Sequence, residues 1–170
     1  HNRRRYGGFL IHFGAVLMFL GFAGTFFSLE HDVTLEQGSS RQIGDYRLEF
    51  QNVDEFQVGN ARHRAAIVKV FGTDGNLLEV MKPAKSFYPT QPQPLTEVAI
   101  LRSFLEDLYL IFSSENGGEQ GSVTLRVFIN PLVGWAWMAL PVFTLGVGIS
   151  LTYRPKSLVA HETILRERYL

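Results

Sequence analysis

The sequence has 170 residues, 16 Lys plus Arg against 16 Asp plus Glu, 46% hydrophobic residues and no cysteine. A formal net charge of zero with this apolar content excludes a disordered chain and a nucleic-acid binder that relies on global basic charge. The lack of cysteine excludes a disulfide framework, thiolate metal sites and a cysteine nucleophile within this chain.

The charge is not spread evenly. The 24 residues from Tyr6 to Leu29 contain no Asp, Glu, Lys or Arg, and neither do the 22 from Leu132 to Tyr153. At about 1.5 Å per residue, each run is long enough as a helix to cross a hydrocarbon core of about 30 Å. Arg3, Arg4 and Arg5 precede the first run, as in a signal peptide. That run exceeds the usual h-region of about 7 to 15 residues, however, and no compact A-x-A cleavage signal follows it. The chain begins with His1 and not Met, so it is expected to be part of something longer.

The flanks set a direction. Three arginines give +3 before the first run, and Arg154, Lys156, Arg166 and Arg168 against Glu162 and Glu167 give +2 after the second. The segment between holds nine basic and fourteen acidic residues, a balance of −5. The positive-inside rule then places both termini in the cytoplasm and the acidic segment across the membrane, in the periplasm of a bacterium. The expected order is a cytoplasmic flank at 1–5, a transmembrane helix at 6–29, a periplasmic β-rich domain at 30–131, a transmembrane helix at 132–153 and a cytoplasmic tail at 154–170. Tyr6 and Tyr153 fall at the cytoplasmic edge and Phe26, Phe27, Trp135 and Trp137 at the other, as in interfacial aromatic belts. Asn130 and Pro131 predict a cap and first helical position for the second helix, and Pro141 predicts a kink within it.

Between the apolar runs the patterns favour strands. Tyr46, Leu48 and Phe50 alternate on one face of YRLEF; AIVKVF runs into Gly-Thr-Asp-Gly-Asn and then LLEVM, a strong hairpin signal. Leu108–Phe112 and Val123–Ile129 are further strands, for six or seven in all, in an antiparallel sheet or small barrel. The prolines at 83, 89, 92 and 94 predict an extended, irregular connection, and the segment that follows reads equally as short helix or strand. The tail from Ser157 to Leu170 predicts a short helix. The fold class expected is therefore a membrane protein with two transmembrane α-helices flanking a mainly antiparallel β extracytoplasmic domain.

Catalytic signals are few: no G-x-S-x-G, H-E-x-x-H or phosphate-binding glycine loop occurs. Asp54 with Glu55, and Glu106 with Asp107, read as solvated carboxylates, and His31, His63 and His161 as surface residues; Arg62 and Arg64 beside His63 disfavour metal binding there. His12 differs, because it is the only imidazole inside either apolar run. An ionisable group at that depth pairs with protein, an aqueous path or a cofactor. Gly8, Ala15, Phe19 and Ala23 share its helical face, leaving room for a flat macrocycle or a close helix. Haem or metal ligation by His12 and an interhelical hydrogen bond both remain open from the residues. Gly7, Gly14 and Gly21 form a second stripe nearly opposite, a packing surface that needs more helices than this chain supplies.

RRRYGGFLIHFG at 3–14, PLTEVAI followed by EDLYLIF within 94–112, and NPLVGWAW at 130–137 occur in this order. With these motifs the chain resembles the C-terminal part of the CcmF family, integral membrane subunits of the cytochrome c maturation system described as haem lyases. The resemblance implies that His12, in the H-x-G context of His12-Phe13-Gly14, is one axial ligand of a stable haem b, the second coming from elsewhere in the protein. It implies a role in reducing haem and attaching its vinyl groups to the C-x-x-C-H cysteines of apocytochrome c. The partners implied are the remainder of the CcmF protein, other maturation membrane proteins, a haem chaperone, apocytochrome c and the lipid bilayer of the bacterial inner membrane. The family's WWD segment and external haem-holding histidines have no match here, so this piece alone is not expected to attach haem. The alternative is a non-catalytic two-span scaffold whose periplasmic domain docks partners.

Overall fold

The computed structural model describes residues 3–116 and 121–152. Two helices, α1 (Arg3–Gly24) and α2 (Val133–Leu151), bracket ten strands among the described residues: β1 (Leu29–Glu36), β2 (Ser40–Ile43), β3 (Tyr46–Val58), β4 (Ala61–Phe71), β5 (Leu77–Met81), β6 (Ala84–Phe87), β7 (Leu95–Glu97), β8 (Ala99–Arg102), β9 (Glu106–Asn116) and β10 (Ser122–Pro131). The chain divides into two compact units, one holding the helices and the other spanning Gly24–Gly134.

The β unit is a sandwich of two antiparallel sheets, one ordered β1-β10-β9-β8 and the other β2-β3-β4-β6-β7 with β5 paired to β4. Period-2 alternation sends one side chain in two inward. Leu48, Phe50, Val68 and Val70 from one sheet therefore meet Leu108, Leu110, Leu125 and Val127 from the other in a single core. Each such side chain contributes about 1.5–3 kcal/mol by leaving water. A bulge between Phe50 and Asn52 shifts the alternation by one, so that Val53 again packs against the core.

The expected β4–β5 hairpin forms. Gly75 takes φ +76°, its N–H donates to Gly72 O at 3.0 Å, and Asp74 accepts from the Asn76 N–H at 3.0 Å. These bonds from Asn76 hold the Asp74 carboxyl below its usual range. The antiparallel class holds, and the sandwich replaces a single sheet or closed barrel.

Several expectations are corrected. Six or seven strands become ten. β1 and β2 go beyond the expected strands: His31 interrupts the apolar face of Leu29, Val33 and Leu35 in β1, and β2 has a single buried side chain, Ile43. β6 lies inside the proline-rich stretch and pairs with β4, because Pro83 precedes the ladder and interrupts none of it. The ambiguous segment after Pro94 is strand, not helix, since β7 and β8 find partners in β6 and β9. Asn130 and Pro131 end β10 and do not cap α2; Leu132 takes φ +62° to turn the chain, and the helix starts at Val133.

α1 begins at the arginines and ends at Gly24, where a 3-10 turn, Thr25–Phe27, follows. α2 continues through Pro141. Both are long and apolar enough to cross a membrane. The glycine stripe is also corrected: Gly7, Gly14 and Gly21 pack on α2 of this same chain. A Cβ at Gly21 would lie 2.6 Å from Ala136 N, and one at Gly7 would lie 2.8 Å from Gly146 O. Only glycine permits that approach. Tyr153 and the tail helix expected at 157–170 lie outside the described residues.

Candidate functional site

His12 sits in α1 with its ring exposed, while Gly14 faces α2. The helical period puts the residue four before it on the same face, and His12 Nδ1 lies 2.8 Å from Gly8 O. A carbonyl oxygen only accepts, so Nδ1 carries the proton and donates. In the neutral ring this sets the tautomer and leaves the Nε2 lone pair available. A backbone carbonyl on the far nitrogen is the usual way a ligating imidazole is oriented. The face beside Gly8 is open, since even a Cβ there would meet nothing within 4 Å. The residues present thus fit one side of a planar metal cofactor.

No second histidine, and no group of three His, Asp or Glu able to hold a metal, occurs among the described residues of α1 and α2. An apolar recess of about 190 Å³ in the helical unit is lined by Gly14, Met18, Ala139, Leu140 and Phe143, on a different face from His12.

The β unit holds a polar cluster that sequence reading missed. Ser86, fully buried, donates from Oγ to Glu97 Oε1 and accepts at the same oxygen from His63 Nδ1 at 2.7 Å. Glu97 also lies 3.3 Å from His63 Nδ1, and Phe56 stacks on the imidazole with ring centroids 5.2 Å apart. His63 is therefore not a plain surface residue; it ties β4 to β6 and β7. Residues 63, 86 and 97 meet only through strand pairing, so no local motif could have flagged them. With the serine buried and both partners on one ring nitrogen, the cluster is a structural staple and not a nucleophilic triad.

The paired carboxylates separate. Asp54 is exposed, while Glu55 lies 3.5 and 3.6 Å from Arg62 and Arg64 across the hairpin. Asp107, expected in solvent, is only 2% exposed because it begins β9 inside the sheet, between β8 and β10. Burial, followed by the bond to the Glu106 carboxylate, pushes the Tyr46 hydroxyl up to about 12. His31 is exposed beside Asp32 in a cleft of about 300 Å³ that also includes Arg41 and Gln42. Asp32 is held below the usual carboxylate range by its hydrogen bonds from Arg126 at 2.9 and 3.2 Å. His161 lies outside the described residues.

Residues 26–131, nearly all of the β unit, match the family model described as the CcmF C-terminal beta-sandwich. The chain belongs to the CcmF family. The cytochrome c-type biogenesis protein CcmF of Escherichia coli (strain K12) is 31% identical over 85% of this chain and 22% of its own length. The cytochrome c-type biogenesis protein CycK of Bradyrhizobium diazoefficiens is 26% identical over 89% of this chain and 23% of its own. Among solved structures, the cytochrome c heme lyase CcmF superposes with a TM-score of 0.69 at 29% identity, over 89% of this chain and 25% of that one. The chain thus spans about a quarter or less of the CcmF-family relatives it matches.

Proposed function

We propose that this chain acts as the C-terminal region of a CcmF-type haem-handling protein in the bacterial inner membrane. On this reading α1 and α2 cross the bilayer, both termini are cytoplasmic, and residues 30–131 form a periplasmic domain. Two features support the spans: large apolar side chains such as Phe13, Phe19, Trp137 and Leu145 point outward along the helices, and the charge balance changes sign at each apolar run.

His12 supplies one axial ligand, through Nε2, to a stable b-type haem, and another part of the protein supplies the second. The observation that carries this is the Nδ1 bond to Gly8 O, which presents Nε2 outward from the helix. Such a haem, when bound, transfers single electrons and so supports the reduction that precedes covalent attachment of haem to apocytochrome c. The chain's own contribution is to orient the imidazole, hold its tautomer and leave the face beside it open. The haem chaperone, apocytochrome c and other maturation membrane proteins are the partners on this reading.

Reduced-minus-oxidised spectra of membranes containing the His12→Ala protein at normal abundance test the assignment. Loss of most of the b-type signal is expected. An unchanged signal would favour the alternative, a two-span scaffold in which His12 only packs.

A further inference from the structure

One end of the β unit carries apolar side chains where an exposed turn ordinarily carries polar ones. The register sets Leu29 opposite Ile129 and Glu106 opposite Pro131, so the Thr25–Phe27 turn, the β8–β9 turn at 103–105 and Leu132 share one end of the same sheet. The Leu132 N–H donates to Leu105 O at 2.7 Å, one residue before α2 begins.

Ser103 and Glu106 close the β8–β9 turn with bonds to each other. Ser103 Oγ donates to Glu106 O at 2.6 Å and accepts from Glu106 N–H at 3.2 Å, and Ser103 N–H also donates to Glu106 O at 3.2 Å. Its two central positions, where Gly, Asn, Asp or Pro usually stand, are Phe104 and Leu105, each 63% exposed. Phe26 and Phe27, at the same end, are 89% and 74% exposed. The carboxylates that follow the turn are drawn inward, Glu106 accepting from the Tyr46 hydroxyl and Asp107 lying buried. Arg102, exposed at the base of the turn, makes no ion pair or side-chain hydrogen bond among the described residues. A rigid turn with two apolar side chains at its tip and an uncommitted guanidinium at its base has the make-up of an interfacial lipid contact.

We propose that the Arg102–Leu105 turn inserts into the membrane interface: Phe104 and Leu105 enter the acyl boundary of the periplasmic leaflet and Arg102 meets lipid phosphate. The occupant is lipid because the chain passes directly from this end of the sheet into α1 and α2, and because the only uncommitted charge on the turn complements a phosphate. This inference rests on the reading of α1 and α2 as membrane spans.

Nitroxide labels test it in the protein as expressed from its own gene, purified and placed in phosphatidylcholine–phosphatidylglycerol vesicles. Labels at Phe104→Cys and, as a second site, Leu105→Cys are compared with Phe19→Cys in α1 and Asn60→Cys in the exposed β3–β4 turn, at the opposite end of the strands from Tyr46 and the 103–105 turn it meets. Power saturation is expected to show oxygen collisions exceeding those with nickel-EDDA at 104 and 105, as at 19, and the reverse at 60. Labels at 104 and 105 that behave like 60, with 19 still in lipid, overturn the proposal and leave the spans intact. Labels shielded from both reagents indicate a protein neighbour and also overturn it. Nickel-dominated collisions at 19 reject the spans themselves, and the proposal with them.

Discussion

The two units bury opposite kinds of residue. In the β unit the fully buried side chains include Phe50, Leu48, Leu108, Leu110 and Leu125. Along the helices of the other unit the buried positions are Gly7, Gly14, Gly21, Ala139 and Gly146, while Phe9, Phe13, Phe19, Leu140 and Leu145 point outward. Water explains the first arrangement, because removing large apolar surface from it drives the sheets together. It cannot explain the second. Helices that turn their smallest residues toward each other at seven-residue spacing gain from close backbone approach, which is what remains to drive association in a surrounding as apolar as the side chains. The inversion is the physical content of the proposed membrane reading.

The strongest way to break that contrast is to truncate a large apolar side chain in each unit. Phe50→Ala should cost the β unit about 3–5 kcal/mol, from lost transfer energy plus a cavity. Leu145→Ala, on an outward face of α2, should leave stability in detergent nearly unchanged. Limited proteolysis along a denaturant series reads both. Equal losses would mean that the helix faces are packed against protein as the sheets are.

Enlarging a small residue should give the complementary result. Gly21→Leu forces a side chain into a gap where even a Cβ would meet Ala136 N at 2.6 Å. Overpacking of this kind costs about 1–3 kcal/mol, seen as helix unfolding at lower SDS fraction. Gly8→Ala, on the open face, should be tolerated for stability. If both substitutions were equally harmless, close packing would not be what holds the helix pair.

Much of this contrast was legible in the chain. Two uncharged runs identified the helices, and alternation at Tyr46–Phe50 and Val123–Ile129 identified strands, because those signals are local. The seven-residue glycine spacing was legible as a packing stripe, but its partner was not, since Ala136, Phe143 and Gly146 lie far along the chain. The sequence also singled out His12, whereas its bond to Gly8 O needed the helix to be built. His63, Ser86 and Glu97 met only through the β4–β6–β7 pairing, and the burial of Asp107 depended on which strands flank β9. Tertiary register, not local propensity, decided those sites.

Tyr46 sharpens the comparison from the polar side, because its hydroxyl is one of the few ionisable groups drawn toward the sandwich core. Its ordinary value near 10.0 is pushed up to about 12 by burial and by the Glu106 carboxylate. The native state therefore keeps its proton longer than the unfolded chain does. The contribution is fully present below pH 10 and is lost as the pH rises through 12; each unit of difference corresponds to about 1.4 kcal/mol. Wild type should lose stability steeply across that window. Tyr46→Phe has no proton to lose at this position, so its stability profile should be flatter there. A slope unchanged by the substitution would reject the assignment.

The smallest effect should come from the outer face of the same sheet. Arg126 reaches Asp32 at 2.9 Å and Glu30 at 3.5 Å, but all three side chains stand in solvent. Asp32 is depressed by its hydrogen bonds from Arg126 more than by simple charge attraction. Because the folded value lies below the ordinary 3.8, the pair's contribution is present above that pH and is lost only as acid protonates the folded carboxylate. Exposed pairs are screened by salt and contribute little near neutrality. Asp32→Asn should therefore leave the neutral-pH denaturation midpoint within error, while slightly reducing the fall in stability below pH 4. A clear loss at neutral pH would place this pair under a covering partner, and the outer face of β1 and β10 would then share the buried character of the core rather than that of a solvated sheet.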